Sequence, residues 1–130
     1  VLVVDDNDAV LRAVVRMLQR MGHHPVAASD AASARDALGD RFPDVVLCDV
    51  MLQGTTGPEV IGELGAALGE APVTFMTGYD RDALADRPGA LVLRKPFDRH
   101  HLDGALHRAL RGDGATSPPG SPTSASSRSG

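Results

Sequence analysis

Five short apolar runs, each of the length of a β-strand, constrain the fold of this chain more than any other feature. The runs do not alternate apolar with polar residues, which is typical of strands buried on both faces of a parallel sheet. Segments with helical spacing separate them, and this order indicates right-handed crossovers within one doubly wound α/β sheet. The predicted strands are Val1–Val4, Val26–Ala28, Val45–Cys48, Val73–Met76 and Leu91–Leu93.

Helical spacing predicts five helices between and after these strands. Gly22 is placed to end the first helix, and Pro58 occupies the favoured first position of the third. The fourth helix has room for only a couple of turns, because 13 residues separate Thr77 from Leu91. The predicted helices cover about Val10 to Met21, Ala31–Leu38, Pro58 to Leu68, Asp80–Ala85 and Leu102 to Leu110. Ser29 or Asp30 is the predicted N-cap of the second helix, and Asp98 is that of the last.

The length and composition predict a single folded domain. With 130 residues and an apolar fraction of 42%, the chain can form one core. The folded unit is predicted to cover residues 1–111. Residues 112–130 are almost wholly Gly, Ser, Pro, Thr and Ala, which cannot offset their own ordering entropy, so a disordered tail or linker is expected there.

The net charge and the cysteine content restrict the predicted class of partner and the predicted cellular compartment. The net charge of −4 leaves no basic footprint and argues against direct contact with nucleic acid. No apolar run approaches the ~20 residues of a membrane helix, so no membrane contact is expected. Cys48 is the only cysteine, which precludes an internal disulfide and fits a cytoplasmic setting.

Polar residues follow four of the five apolar runs. They are Asp5 and Asp6 after the first run, Asp49 after the third, Thr77 after the fourth and Lys95 after the fifth. Ligands bind beyond the carboxyl ends of strands in such sheets, so these side chains are expected to meet. Three carboxylates tolerate one another only around a cation or with raised pKa values, and Mg²⁺ prefers such oxygen ligands. A hydroxyl and an ammonium beside them suit phosphoryl transfer.

Four segments resemble the signature segments of response-regulator receiver domains. They are VLVVDD, VVLCDV with Gly57 eight residues after Asp49, VTFMTG and VLRKPF, and the resemblance extends from Val1 to about Arg111. It implies a flavodoxin-like five-stranded sheet and a signalling domain that is not an enzyme. The implied donor is a phosphohistidine on a histidine kinase or on a histidine phosphotransfer protein.

The resemblance also implies a role for each site residue. Asp49 would be the phosphoacceptor and would bind the metal together with Asp6, while Asp5 would act through a metal-bound water. The remaining implied roles are a metal ligand from the Met51 backbone carbonyl, phosphoryl contacts from Thr77 and Lys95, and a cis peptide bond before Pro96.

Two positions depart from the pattern of this family. Gln53 stands where many members have proline, and only local effects are expected. Val92 stands where many members carry a Tyr or Phe that turns inward on phosphorylation. Together with the short fourth helix, Val92 favours a phosphoryl relay over a strong conformational switch. The abrupt start at Val1 suggests a piece of a longer protein, such as the C-terminal receiver of a hybrid histidine kinase, with a stand-alone receiver as the alternative.

Other functions compete with this interpretation. Asp6-Asn7-Asp8-Ala9-Val10 matches the opening motif of haloacid-dehalogenase-type phosphatases, which would make Asp6 the nucleophile. That family needs a further acidic pair at a strand end after the lysine, and Asp49 would then have no role. A receiver-like binding module that is never phosphorylated is the other alternative. The five histidines are interpreted as solvated residues, and the sequence leaves open whether the chain forms a homodimer.

Overall fold

A computed structural model describes residues 1–78 and 90–111 of the chain. Within them, five strands form one sheet, namely β1 (Leu2–Val4), β2 (Val26–Ala28), β3 (Val46–Asp49), β6 (Val73–Thr77) and β7 (Leu91–Arg94), and a small hairpin adds β4 (Met51–Leu52) and β5 (Thr55–Thr56). The five strands are parallel and lie in the order β2-β1-β3-β6-β7. This order and pairing confirm the flavodoxin-like, doubly wound architecture of a single domain.

The strands β3, β6 and β7 each extend one residue further than the apolar runs predicted. Asp49 pairs with Met76, and Thr77 pairs with Arg94, so both polar residues lie in the sheet rather than after it. The ladder consists of backbone hydrogen bonds, and these form whether the side chain is polar or apolar. Hydropathy therefore placed the ends of these three strands one residue too early, whereas it placed the ends of β1 and β2 correctly.

The helices begin at capping residues. Asn7, Asp30, Thr56 and Asp98 each accept a backbone N–H three residues further on. The third helix ends at Leu64, earlier than predicted. Gly65 adopts a φ of 47°, which ends the α-helix, and the chain continues as a short 3₁₀ turn. The helices are α1 (Asp8–Arg20), α2 (Ala31–Leu38), α3 (Gly57–Leu64) and α4 (Arg99–Leu110), with the 3₁₀ turn at Gly65–Leu68.

Two cores cover the two faces of the sheet. On one face Val3, Leu47 and Met76 pack with residues of α1 and α4. On the other face Val4, Cys48 and Phe75 pack with residues of α2 and α3, together with the partly buried Val92. Alternate residues of each strand enter opposite cores, which explains why the runs are continuously apolar.

Two predictions lie outside the described residues: the fourth helix at about Asp80–Ala85, and the disordered tail over residues 112–130. In the parts of the chain that the structure describes, no helix has both the length and the apolar character to span a membrane.

Candidate functional site

Three carboxylates meet at the carboxyl end of the sheet. Asp5 and Asp6 follow β1, and Asp49 ends the neighbouring strand β3. One oxygen from each of the three lies within 4.8 Å of the others. Asp5 is fully buried, Asp49 is partly buried and Asp6 is exposed, so the cluster reaches solvent at Asp6. The structure thus brings together the three aspartates that the sequence singled out.

Two donors hold the buried carboxylate of Asp5. The backbone N–H of Asn7 donates to Oδ1 at 2.9 Å, and Lys95 Nζ donates to Oδ2 at 3.0 Å. Asn7 is also the N-cap of α1, so the turn that starts the helix orients Asp5 as well. These two donors compensate the Asp5 carboxylate for its loss of contact with water.

Lys95 joins the two most buried carboxylates. Its Nζ lies 3.0 Å from Asp5 Oδ2 and 3.4 Å from Asp49 Oδ2, and its side chain is 23% exposed. The backbone N–H of Lys95 donates to the carbonyl of Thr77 at 2.8 Å, which continues the β6–β7 ladder to this residue. The peptide bond between Lys95 and Pro96 is cis.

The electrostatics of the cluster favour a cation. Burial and the negative charge of Asp5 raise the pKa of Asp49, while Lys95 and a hydrogen bond from the Met51 backbone N–H act in the opposite direction. Two unit charges about 4.8 Å apart repel by roughly 3 kcal/mol at an effective dielectric constant near 20. One ammonium group does not neutralise three carboxylates. A divalent cation with oxygen ligands fits this donor set.

The hydroxyl of Thr77 is buried and has no hydrogen-bond partner among the described residues. Thr77 ends β6, the strand next to β3, and it is 1% exposed. A buried hydroxyl without a partner costs free energy, so such a group is often held for a ligand or a second conformation. Thr74 shares this property but lies inside the strand, away from its carboxyl end.

The loop after Asp49 contributes a contact that the sequence did not predict. In the β4–β5 hairpin, the backbone N–H of Gln53 donates to Asp6 Oδ2 at 2.6 Å. Gly54 follows with a φ of 79° and closes the hairpin. Met51 stands at the start of this hairpin, two residues after Asp49. Backbone contacts of this kind leave no residue-type signal in a sequence.

Gly57 lies directly against the backbone of Asp49. A Cβ at this position would collide with the carbonyl oxygen of Asp49 and would come within 3.1 Å of the Phe75 ring. The N–H of Gly57 donates to the carbonyl of Val50 at 2.6 Å. Thr56 and Glu59 form a capping box around the same helix start, a T-x-x-E signal that is visible in the sequence. Loop and helix therefore fix the backbone of Asp49 from one side.

The sequence profile of the response regulator receiver domain family matches residues 1–107. The chain is a receiver domain of this family. The match includes every strand of the described fold, all its helices except the last three residues of α4, and all the predicted site residues. Nothing in the comparisons supports the phosphatase alternative.

Relatives of this receiver are response regulators. It is 31% identical over 128 residues to the response regulator MprA of Mycobacterium sp. (strain KMS), which covers 94% of this chain and 55% of the relative. It is 30% identical over 128 residues to the photosynthetic apparatus regulatory protein RegA of Rhodovulum sulfidophilum, covering 95% of this chain and 69% of RegA. The chain thus spans about half the length of its mycobacterial relatives.

Solved structures of receivers share the fold. The receiver domain of NtrX from Brucella abortus superposes with a TM-score of 0.74 at 34% identity, covering 85% of this chain and 97% of that one. A response regulator receiver domain protein from Clostridium thermocellum gives a TM-score of 0.72 at 25% identity, covering 85% and 93% of the two chains. Both agree with the five-stranded parallel sheet of this receiver.

The remaining candidates lie outside the cluster. Cys48 is buried beside Asp49, and burial, with Asp49 and Asp5 nearby, raises its pKa to about 12. The thiol therefore stays protonated at neutral pH and serves as a small apolar residue. His101 and His107 are exposed on α4 and contact Asp98 and Asp103 respectively, as expected for solvated residues.

Proposed function

We propose that Asp49 is the phosphoacceptor of this receiver and that it takes its phosphoryl group from a phosphohistidine on a histidine kinase or a histidine phosphotransfer protein. The observation that carries the proposal is the arrangement around Asp49. Asp5 and Asp6 supply acidic groups for a cation on one side, and Lys95 Nζ lies 3.4 Å from the Asp49 carboxylate. Asp49 is partly exposed, so a donor can reach it.

The proposed step is a transfer between two nucleophiles. A carboxylate oxygen of Asp49 forms a bond to phosphorus while the phosphorus–nitrogen bond of the donor breaks. The electron pair of that bond returns to the imidazole ring, which leaves with a proton from solvent. No oxidant or reductant is needed. Catalysis of such a step consists mainly of positioning and charge neutralisation.

Asp5, Asp6 and Asp49 would hold Mg²⁺, with the backbone carbonyl of Met51 as a further ligand and Asp5 acting through a bound water. When bound, Mg²⁺ would supply the charge neutralisation that an anionic phosphoryl donor needs to approach the Asp49 carboxylate. The fit of the site to a cation rests on the proximity of the three carboxylates and on the raised pKa of Asp49.

Lys95 and Thr77 are proposed to contact the phosphoryl group after transfer. Lys95 already lies between Asp5 and Asp49, so its ammonium can follow the new negative charge on Asp49. Thr77 has a buried hydroxyl without a partner among the described residues, and a phosphoryl oxygen would give it one.

The setting of this receiver in its complete protein is also a proposal. We infer a cytoplasmic signalling domain of residues 1–111 with a tail over residues 112–130, no enzymatic activity of its own and no direct contact with nucleic acid. The names of MprA and RegA describe regulators, which favours a response regulator as the complete protein. The alternative is that this domain is the receiver of a hybrid histidine kinase. Valine instead of an aromatic residue at position 92 favours this alternative.

The proposal is tested by incubating the protein with a small phosphoryl donor and Mg²⁺ and measuring its intact mass. We expect one added phosphoryl group, which disappears in Asp49→Asn and when Mg²⁺ is chelated. Asp36→Asn, an exposed aspartate on α2, is the matched control and should be phosphorylated like the parent. Phosphorylation that persists in Asp49→Asn and disappears in Asp6→Asn would instead favour the phosphatase-type nucleophile.

A further inference from the structure

The geometry points to the backbone N–H of Gln53 as a positioning group that fixes Asp6 for Mg²⁺ and disfavours Ca²⁺. This inference rests on the proposed metal site. Gln53 lies in the hairpin after the phosphoacceptor, 47 residues away from Asp6 in sequence, and its N–H donates to Asp6 Oδ2 at 2.6 Å. Among the residues that the structure describes, no other contact to the three aspartates comes from a residue that departs from the family's pattern.

Asp6 differs from the other two acids in how it is held. Asp5 is buried and has two donors, and Asp49 has Lys95 and the Met51 N–H. Asp6 is exposed, and the Gln53 N–H is its only hydrogen bond among the interactions described for residues 1–78 and 90–111. Without that bond, its side chain would be free to exchange rotamers, and a metal would have to order it on binding.

The bond also restricts how Asp6 can coordinate a metal. One carboxylate oxygen accepts the Gln53 N–H, which leaves the other oxygen for an ion. Mg²⁺ demands octahedral geometry and is commonly bound by one oxygen of a carboxylate, whereas Ca²⁺ takes more ligands and often uses both oxygens of one carboxylate. A carboxylate fixed through one oxygen therefore suits Mg²⁺ better than Ca²⁺.

Proline at this position would remove the donor, because proline has no backbone N–H. The receivers that carry proline here therefore cannot make this bond, whereas any other residue can. The contact depends on the backbone of Gln53 and not on its side chain. This difference supplies a matched pair of variants: Gln53→Ala keeps the N–H, and Gln53→Pro removes it.

The experiment titrates Mg²⁺ and, separately, Ca²⁺ into the unphosphorylated parent protein, Gln53→Ala and Gln53→Pro by isothermal titration calorimetry. We expect Gln53→Ala to match the parent, and Gln53→Pro to bind Mg²⁺ about threefold to tenfold more weakly, as the loss of one fixed side-chain rotamer predicts. The preference for Mg²⁺ over Ca²⁺ should fall in Gln53→Pro alone. Equal or tighter binding of Mg²⁺ by Gln53→Pro would overturn the inference.

A second measurement needs no substitution. In the parent protein, the amide proton of Gln53 should be protected from hydrogen exchange, and the protection should persist when Mg²⁺ is saturating. Loss of protection on binding would mean that the bond competes with the metal, which also overturns the inference. If the parent binds no Mg²⁺ at all, the proposed function fails; if it binds Mg²⁺ and the two variants do not differ, only this inference fails.

Discussion

Lys95 Nζ lies 3.0 Å from Asp5 Oδ2, and Asp5 is completely buried. Among the residues that the structure describes, Lys95 is the one that compensates the charge of Asp5. The same ammonium lies 3.4 Å from Asp49, so one cation supports both the fold near the site and the proposed chemistry.

Replacing Lys95 with methionine should destabilise the metal-free protein. The substitution keeps an unbranched side chain of similar length but leaves the carboxylate of Asp5 without its cation. We expect the free energy of unfolding to fall by about 2 kcal/mol, less than for a fully buried pair because Lys95 is partly exposed. Urea denaturation in the presence of a chelator measures the change. Adding Asp5→Asn to the variant should recover most of the loss; a loss that the second substitution leaves intact would show that packing, and not the unpaired charge, is responsible.

Replacing Asp49 with asparagine should stabilise the metal-free protein at neutral pH. Burial and Asp5 raise the pKa of Asp49 in the folded state. A raised pKa means that the folded state binds the proton more tightly than the unfolded state, so the stability that this group contributes is lost as the pH rises through the raised pKa. The advantage of Asp49→Asn should therefore be fully present at pH 7, shrink as the pH falls through the raised pKa of Asp49, and disappear below about pH 4, where the carboxyl group is protonated in both states.

Saturating Mg²⁺ should make the parent protein more stable than Asp49→Asn. An ion that binds only the folded state stabilises it, and Asp49→Asn lacks one of the side chains proposed to hold the ion. Urea denaturation across pH, with and without Mg²⁺, tests both effects. Equal stability of the two proteins at pH 7 without metal would contradict the electrostatic account of the site.

Gly57→Ala should disturb the site through the backbone of Asp49. The added Cβ would collide with the Asp49 carbonyl oxygen, so either α3 or the phosphoacceptor loop must move. We expect a loss of about 1–3 kcal/mol in unfolding free energy and weaker binding of Mg²⁺. Gly62→Ala in the same helix is the control, since a Cβ there meets no atom within 4 Å and alanine should stabilise the helix by about 0.5–1 kcal/mol.

Thr74→Val and Thr77→Val should separate a structural cost from a functional one. Both threonines have a buried hydroxyl without a partner among the described residues, so each valine should raise the unfolding free energy by about 1 kcal/mol. Only Thr77→Val removes a proposed phosphoryl contact and should shorten the lifetime of the phosphorylated state or slow its formation. Phosphorylation kinetics that change equally in both variants would contradict the role of Thr77.

Phosphorylation should leave most of the domain unchanged. Val92 is partly buried beside the core that contains Phe75, its partner in the β6–β7 ladder, and it lacks the aromatic ring that couples site and surface in many receivers. We expect amide NMR shifts on binding a phosphoryl mimic to remain close to Asp49, Thr77 and Lys95. Broad changes along α4 would refute the relay hypothesis and favour a conformational switch.

The sequence by itself determined the five sheet strands and their order along the chain, and it predicted the residues of the proposed site. Continuous apolar runs identified all five sheet strands. The polar residues at their ends led to the prediction of Asp5, Asp6, Asp49, Thr77 and Lys95, because parallel strands place their carboxyl ends together. Capping residues such as Asp98 also marked the starts of helices, since their side-chain chemistry is local.

Only the tertiary structure decided what depends on backbone atoms brought together from distant parts of the chain. The N–H of Gln53 on Asp6, the approach of Gly57 to the Asp49 carbonyl and the extension of β3 and β6 into polar residues all involve main-chain groups. Every residue except proline carries the same N–H and carbonyl, so these contacts leave no signature in residue type, and their partners become known only when the strands and loops are placed in space.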